Sequence, residues 1–412
     1  MKHNSFILRV ESMILWAFLF LLPTQLGKHF FIPQSYISGV RIDYLAITIY
    51  LTDILVGILA ILHIRLLIRR VKTKSFVLFL LFLAIQLLIP ASPWITLYRF
   101  GKLLELWIIF VLFQQSHIRA RSILSAFLAG AVFQIVLVIL QLIGKQSVQG
   151  IFYFFGERAM NLSTPDIAKF TWQGIEFLRP YGTFSHPNSL GGFFLLLFVF
   201  ISFTPAFDRF MMQKQGLLAL LFFLIIFSFS KAAIFAFFFV QAVYALYWYR
   251  KTKCIVCIFP KLLLLLPFLI IAFIGGHDPV GIQKRLFLVV SSIHIILTHP
   301  VVGVGLGNYL YAQASIPSPF APYFLQPVHN IFLLLLSETG IVGFLVFFNI
   351  CIQWLMSEKI TKTLILMIVA IALTGLFDHY WLTLQQNLLI MGVVFGLATN
   401  QFLNRSVKRI VK

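Results

Sequence analysis

Ser122 to Ile143 reads SILSAFLAGAVFQIVLVILQLI, 22 consecutive residues without a charged side chain. A helix rises about 1.5 Å per residue, so this stretch covers the roughly 30 Å hydrocarbon thickness of a bilayer. Arg119 and Arg121 stand immediately before it. Working outward, further apolar runs lie at 7–23, 44–64, 75–90, 96–115, 188–204, 216–230, 232–249, 259–275, 329–350, 363–378 and 385–402. Twelve spans result. The first run lacks a small-residue cleavage site and is read as a retained span. Composition agrees: 60% of the 412 residues are hydrophobic, 11% are charged, and 47 are Phe. A soluble domain carries about 45–50% apolar and about 25% charged residues. The expected fold is therefore an all-α polytopic membrane protein, a single integral membrane domain over residues 1–412.

The net charge of +20 would suggest a nucleic-acid partner in a soluble chain. Here the cations form short clusters between apolar runs, which is how membrane topology is encoded. With the N-terminus in the cytoplasm, 21 of the 32 Lys and Arg fall on the inside, and every inside loop carries at least two. Both termini are then cytoplasmic, and no nucleic-acid partner is expected. Cys254 and Cys257 form a lone CxxC pair with no second pair or His cluster, too few ligands for a zinc site; no metal and no cofactor is expected.

Two outer loops are long, 144–187 and 276–328. They are rich in aromatics, Gly, Pro and His, unlike disordered tails, and the second contains an amphipathic stretch, Ile282 to Thr298. The expectation is a structured crown on the outer face that holds the active site. The first loop closes with RPYGTFSHPNSLGGF, Arg179 to Phe193, placing Arg179, His186 and Asn188 at the start of a span. A turn that stops and starts a helix accounts for the Pro and Gly residues but not for Arg and His together. The second loop carries THPVVGVGLGNYL (Thr298–Leu310) and QPVHNIFLLLLSETGIVGF (Gln326–Phe344). Its GxGxG run at 303–307 lacks the βαβ context of a dinucleotide fingerprint and supplies tight turns against a ligand or another backbone. His329 is placed in the first turn of the following helix, where the positive dipole end disfavours imidazolium and a neutral His can act as a general base. The bland alternative is a cap or interface residue. Arg285 opens the amphipathic stretch, and Lys231 lies at the tight hairpin of FSFSKAAIF. With no carboxylate nearby in sequence, an anionic ligand is the partner that fits Lys231. Lys102 and Glu105 read as a helix-surface pair at i, i+3.

The segments RPYGTFSHPN, HPVVGVGLGN and HNIFLLLLSETGIVG together resemble the O-antigen ligase and polymerase family of bacterial membrane glycosyltransferases. The family's His-Asn-x9-Gly-x-x-Gly arrangement is matched by His329, Asn330, Gly340 and Gly343, with Glu338 as the acidic residue of that helix. The resemblance covers about residues 179–345 by motif and the remainder by topology. It implies a metal-independent transfer of a glycan from a polyprenyl-diphosphate carrier to an acceptor hydroxyl, on the outer face of the cytoplasmic membrane, for surface polysaccharide such as lipopolysaccharide. In that scheme His329 is the base, while Arg179 and Arg285 hold the diphosphate with Lys231 beside them. His186, Asn188, Asn330 and Glu338 support. Relatives often show Ser-Arg where this chain has Ser230-Lys231, and Lys lacks the bidentate fork. Ligase, polymerase and protein O-oligosaccharyltransferase share these motifs and differ in their acceptors. The rivals from other classes are a transporter or flippase for lipid-linked glycans and a scaffold of an export complex.

Overall fold

The computed structural model describes residues 2–71, 74–254, 279–320, 324–358 and 360–403. The apolar runs become helices: α1 (Lys2–Leu21), α2 (Leu51–Leu62), α3 (Ile64–Val71), α4 (Lys74–Leu88), α5 (Pro93–Gln115), α6 (Ala120–Gly144), α7 (Pro187–Phe203), α8 (Met211–Phe227) and α9 (Lys231–Thr252). They continue as α10 (Pro279–Thr298), α11 (Tyr309–Ala314), α12 (Ile331–Ser357), α13 (Lys362–Gly375), α14 (Tyr380–Thr383) and α15 (Gln385–Thr399). Side chains set several starts: Ser92, Ser230, Asn330 and Thr361 each accept a backbone N–H of the first turn, supplying bonds the helix cannot make for itself.

Among the described residues, five helical stretches are long and apolar enough to cross a membrane: α6, Pro205–Phe227, α9, α10 and α12. The bent pair α2–α3, with an 83° break, would make six, and five more apolar helices are shorter. The run at 259–275 lies outside the described residues. One boundary moves. Residues 44–50, read from the sequence as the start of a span, are a short 3-10 turn followed by strand β4 (Ile47–Tyr50). Asp53 ends that strand, because its carboxylate accepts the Tyr50 N–H at 2.9 Å and fixes the first turn of α2.

Helix α7 is the axis of the body, with 14 of its 17 residues buried, so it meets protein on all sides. Its Gly-Gly pair makes this possible: a Cβ on Gly192 would sit 2.2 Å from the Tyr380 hydroxyl, and small residues let apolar helices close up. Around α7 lies the main core, drawn from α1, α2, α5, α6, α8, α9, α13 and α15.

Three inserts gather at one end of the bundle. The sequence pointed to two, although Pro279–Thr298 of the second is α10, itself a helix long and apolar enough to cross a membrane. The third is residues 24–50, which form β1 (Gly27–Phe30) paired antiparallel with β4, and β2 (Tyr36–Ile37) paired with β3 (Val40–Arg41). It shares a small core with α10, α11 and the start of α12 through Ile37, Ile42, Leu45, Leu288, Ile295, Tyr309 and Val328. Its apolar residues alternate over short strands, a pattern too brief to separate from a loop. The first long loop holds the hairpin β5 (Lys169–Trp172) and β6 (Ile175–Leu178).

Helix α10 occupies the amphipathic stretch. It runs beside the first half of α12: Ser292 bonds Ser337 at 2.8 Å, and Pro300 O accepts the Ile341 N–H at 2.9 Å. The chain then turns through the glycine run and returns, with Gln86 bonding Val302 and Leu306, and Asn308 bonding the Ser92 N–H. The GxGxG run thus serves backbone packing. Gly303 (φ +69°) and Gly340 (φ +61°) face each other across two strands of main chain, and a Cβ on Gly340 would lie 2.4 Å from the Val301 carbonyl carbon. Gly340 is also where α12 leaves helical geometry. Gly340→Ala should therefore lower stability by about 1–3 kcal/mol from the positive φ alone, and further through the clash. Thermal unfolding in detergent measures this; an unchanged midpoint would refute the packing.

Lys102 and Glu105 are not a surface pair. Lys102 is buried and contacts Asp53 as well as Glu105, and Gln385 donates to both carboxylates. Burial joins charges from two helices and the Gln385 amide from a third, which sequence spacing alone could not relate.

Candidate active site

Two glutamines of α6 place the segment that carries Arg179. Gln141 accepts the N–H groups of Tyr181 and Gly182 at 2.9 and 2.8 Å and donates to Gly182 O at 3.0 Å. Its remaining N–H goes to the buried Glu157, which also accepts the Val148 N–H. Gln134 bonds Thr183 through both its carbonyl and its amide, and donates to Pro23 O. Gly182 is needed for this closure: its φ is +57°, and a Cβ there would collide with the Gln134 side chain that binds the turn.

From there a chain of bonds crosses the site. Arg179 donates through Nε and Nη2 to Ser228 O at the end of α8, at 3.3 and 3.1 Å, and through Nη2 to Asn188 Oδ1 at 2.8 Å. Asn188 Nδ2 donates to Asp378 Oδ2 at 2.7 Å. The other oxygen of Asp378 accepts the His379 N–H at 2.8 Å and faces His329 Nδ1 at 3.6 Å. That last separation is longer than a hydrogen bond, and His329 Nδ1 is buried without another hydrogen-bond partner. The His379 ring lies against that of His329, tilted by 41° with centroids 5.2 Å apart, and its Nδ1 meets Thr383 Oγ1 at 2.7 Å. Arg99 bonds Tyr44 O and Thr383 O at 3.1 and 3.2 Å, so it clasps the residues on either side of His379.

The charges follow from this packing. Burial alone would raise the Asp378 carboxyl, but His329, His379 and His186 around it hold it well below the usual carboxylate range. Burial lowers His186 to about 3 and His379 to about 4, against the pull of Asp378, so both are neutral near pH 7. Burial also lowers Arg179, to about 10, and the Arg285 cation adds to this. Arg179 still keeps its charge near neutrality, and the two cations repel each other through the site. An anion between them would relieve that repulsion.

The histidines set a pH dependence. Their folded values lie below the ordinary 6.5, so the unfolded chain takes up more protons as pH falls through that range. Their contribution to stability should be complete above about pH 6.5 and lost as pH falls from there toward about 4. Thermal unfolding of the unmodified protein and of His379→Gln across that window checks it, the variant being expected to lose part of the decline; an identical pH response in the two would show that this ring is not buried in its neutral form.

The structure brings together His186, Asn188, Arg179 and His329, from the two segments singled out in the sequence. It corrects His329: the residue precedes the helix, and Asn330 is the N-cap, its Oδ1 accepting the N–H groups of Phe332 and Leu333. The charged group that His329 Nδ1 faces is Asp378, 3.6 Å away. His186 caps α7 with its own Nδ1, which accepts the Asn188 N–H at 3.1 Å. Glu338 lies apart from this chain of bonds. It is half-buried two turns along α12, with its carboxylate toward the Gly307 and Tyr309 N–H groups, and its main-chain oxygen accepts the Gly305 N–H at 2.9 Å, which fastens the glycine run. Lys231 is the first residue of α9, exposed, and three residues beyond the carbonyl that anchors Arg179. Arg285 is exposed on α10 within electrostatic range of Arg179.

Sequence reasoning missed Asp378, His379 and Arg99. The signal for the first two was FDHYWL (Phe377–Leu382), an acid and a His between two apolar runs, and an ionisable group at such a place is a site by default. His329, Asp378 and His379 each offer one donor atom, all within 4.8 Å of one another, and are the group among the described residues that could hold a metal ion.

Residues 216–348, about a third of the chain, match the family model described as O-antigen ligase. The matched stretch contains Lys231, Arg285, His329, Asn330 and Glu338; Arg179, Asn188 and Asp378 lie outside it. No curated protein matches the chain.

Proposed function

We propose that this O-antigen ligase-like membrane protein is a glycosyltransferase that moves a glycan from a polyprenyl-diphosphate carrier to an acceptor hydroxyl, on the outer face of the bacterial cytoplasmic membrane. The observation that carries the reading is the chain Arg179–Asn188–Asp378–His329, which joins a phosphate-binding cation to a potential base. With Nδ1 turned to Asp378, His329 presents Nε2 as the free nitrogen. The gap of 3.6 Å fits a base pair that tightens when substrate binds.

His329 Nε2 takes the acceptor proton, and the acceptor oxygen bonds to the anomeric carbon. The bond from that carbon to the diphosphate oxygen breaks, and the electron pair leaves with the diphosphate. Direct displacement inverts the anomeric centre. Arg179 is pinned through Nε and Nη2, which leaves both N–H bonds of Nη1 for phosphate oxygens. With Arg285 it neutralises the charge developing on the leaving group, which is where electrostatic stabilisation contributes most. Lys231 can add a third positive charge near the Ser228 hairpin. The acceptor decides between ligase, polymerase and protein O-oligosaccharyltransferase.

Purified protein given a synthetic polyprenyl-diphosphate sugar and a panel of lipid, glycan and peptide acceptors tests this. Transfer with no ion gradient supports the enzyme; movement of the donor across a vesicle membrane without transfer would replace it with a transporter. The sidedness has its own test. Ser163 and Ser315 are exposed in the two long loops, so single cysteines there, with Cys254, Cys257 and Cys351 replaced, should react with an impermeant reagent added to intact cells. Reaction only after the membrane is opened would invert the orientation.

A further inference from the structure

We infer that His329, Asp378 and His379 form a binding site for a zinc-class divalent metal ion, and that a bound ion silences the base. The site stands on geometry. Two imidazoles and one carboxylate converge from two segments, His329 from one and the adjacent Asp378 and His379 from the other, with donor atoms all within 4.8 Å and the His329 Nδ1 to Asp378 Oδ1 separation at 3.6 Å. Zinc held tetrahedrally at about 2.0–2.2 Å places its ligands about 3.3 Å apart, so one pair already stands near that spacing and small ring rotations suffice for the others. The independent observation is that His329 Nδ1 is buried and makes no hydrogen bond. A buried nitrogen left without a partner costs about 1–3 kcal/mol, and a metal ion would satisfy it.

The surroundings suit the role. The Thr383 hydroxyl donates to His379 O at 3.1 Å, so its oxygen accepts from His379 Nδ1–H at 2.7 Å. That fixes the tautomer and leaves His379 Nε2 as the lone-pair nitrogen, the arrangement typical of a metal-ligating histidine. Asn188 holds the far oxygen of Asp378 at 2.7 Å and keeps the carboxylate in place. Three ligands of this kind leave a fourth position open to water, and two nitrogens with one oxygen favour zinc, copper or nickel over calcium or magnesium. Arg99 and Arg179 are the nearby cations; both oppose a dication and hold the affinity below that of a structural zinc site.

Metal on His329 Nδ1 fixes the remaining proton on Nε2, the nitrogen that must be bare to accept the acceptor's proton. Occupancy and transfer are therefore exclusive. This consequence rests on the proposed base role of His329, whereas the binding itself does not. The site would make the enzyme sensitive to free zinc in its compartment.

The experiment titrates purified, metal-stripped protein in detergent with Co2+ and Zn2+. We expect one equivalent of Co2+ to give the visible absorption of a four-coordinate nitrogen–oxygen site, displaced by Zn2+ and lost in His379→Ala. Thr383→Val, which leaves all three ligands, should weaken binding about 10-fold or more, and it serves if His379→Ala does not fold. In the transfer assay, turnover should fall in step with Zn2+ occupancy and recover on chelation. Absence of uptake, or uptake unchanged in both variants, overturns the site. Stoichiometric binding with full turnover overturns the silencing. A protein that binds metal as expected yet transfers nothing when metal-free leaves the site standing and overturns the proposed function instead.

Discussion

His329→Ala should reduce glycan transfer about 10²–10⁴-fold, the usual contribution of a general base, while donor affinity stays nearly unchanged. The imidazole is 21% exposed and hydrogen-bonds no helix terminus, so its removal leaves α12 capped by Asn330 and the bundle intact. The measurement is single-turnover transfer with saturating lipid-linked donor, next to donor binding measured separately. A loss confined to the chemical step supports the base; a loss of donor binding with normal chemistry would make His329 a phosphate contact. Turnover close to the unmodified protein would place the base elsewhere, with His379, 5.2 Å away by ring centroid, the next residue to replace.

Asp378→Asn should cost nearly as much, up to about 10⁴-fold by comparison with orienting acids in hydrolase triads. The side chain keeps its shape and can still accept from Asn188, but it loses the charge that favours a proton on His329 Nδ1. The ring then no longer presents a bare Nε2 by preference. Groups acting as one unit are not additive, so the double variant with His329→Ala should be scarcely worse than either single one. Multiplying effects would separate Asp378 from the base. Asp378→Ala is the harsher change, since it also strips the Asn188 amide and the His379 N–H of their acceptor.

Most helices were legible because an uncharged run as long as Ser122–Ile143 has one way to satisfy its backbone in lipid. Motif residues were legible where they abutted such runs: Arg179, His186 and Asn188 before α7, His329 and Asn330 before α12. What escaped depends on distance in sequence. Asp378 sits 190 residues from the Asn188 amide that it accepts, and Asp53, Glu105 and Gln385 meet across three helices. The insert at 24–50 escaped for another reason. Its strands are two to four residues long, and their alternation gains meaning only when α10 and α11 cover one face.

The sequence by itself determined the solvent of this protein, its helical class and two of the segments that meet at the candidate site, because burial in lipid constrains every residue of a long apolar run independently of its neighbours. The match over residues 216–348 agrees with the family its motifs resemble. Tertiary structure alone decided the partnerships: that His329 stands outside its helix and faces Asp378, that Glu338 fastens a glycine turn instead of joining the site, and that Arg179 is pinned to Ser228 and Asn188. Those outcomes turn on which buried polar groups lie within about 3 Å of each other, and unpaired groups are costly enough to fix the arrangement. No local pattern specifies such contacts, since each is made between segments that only the packed bundle brings together.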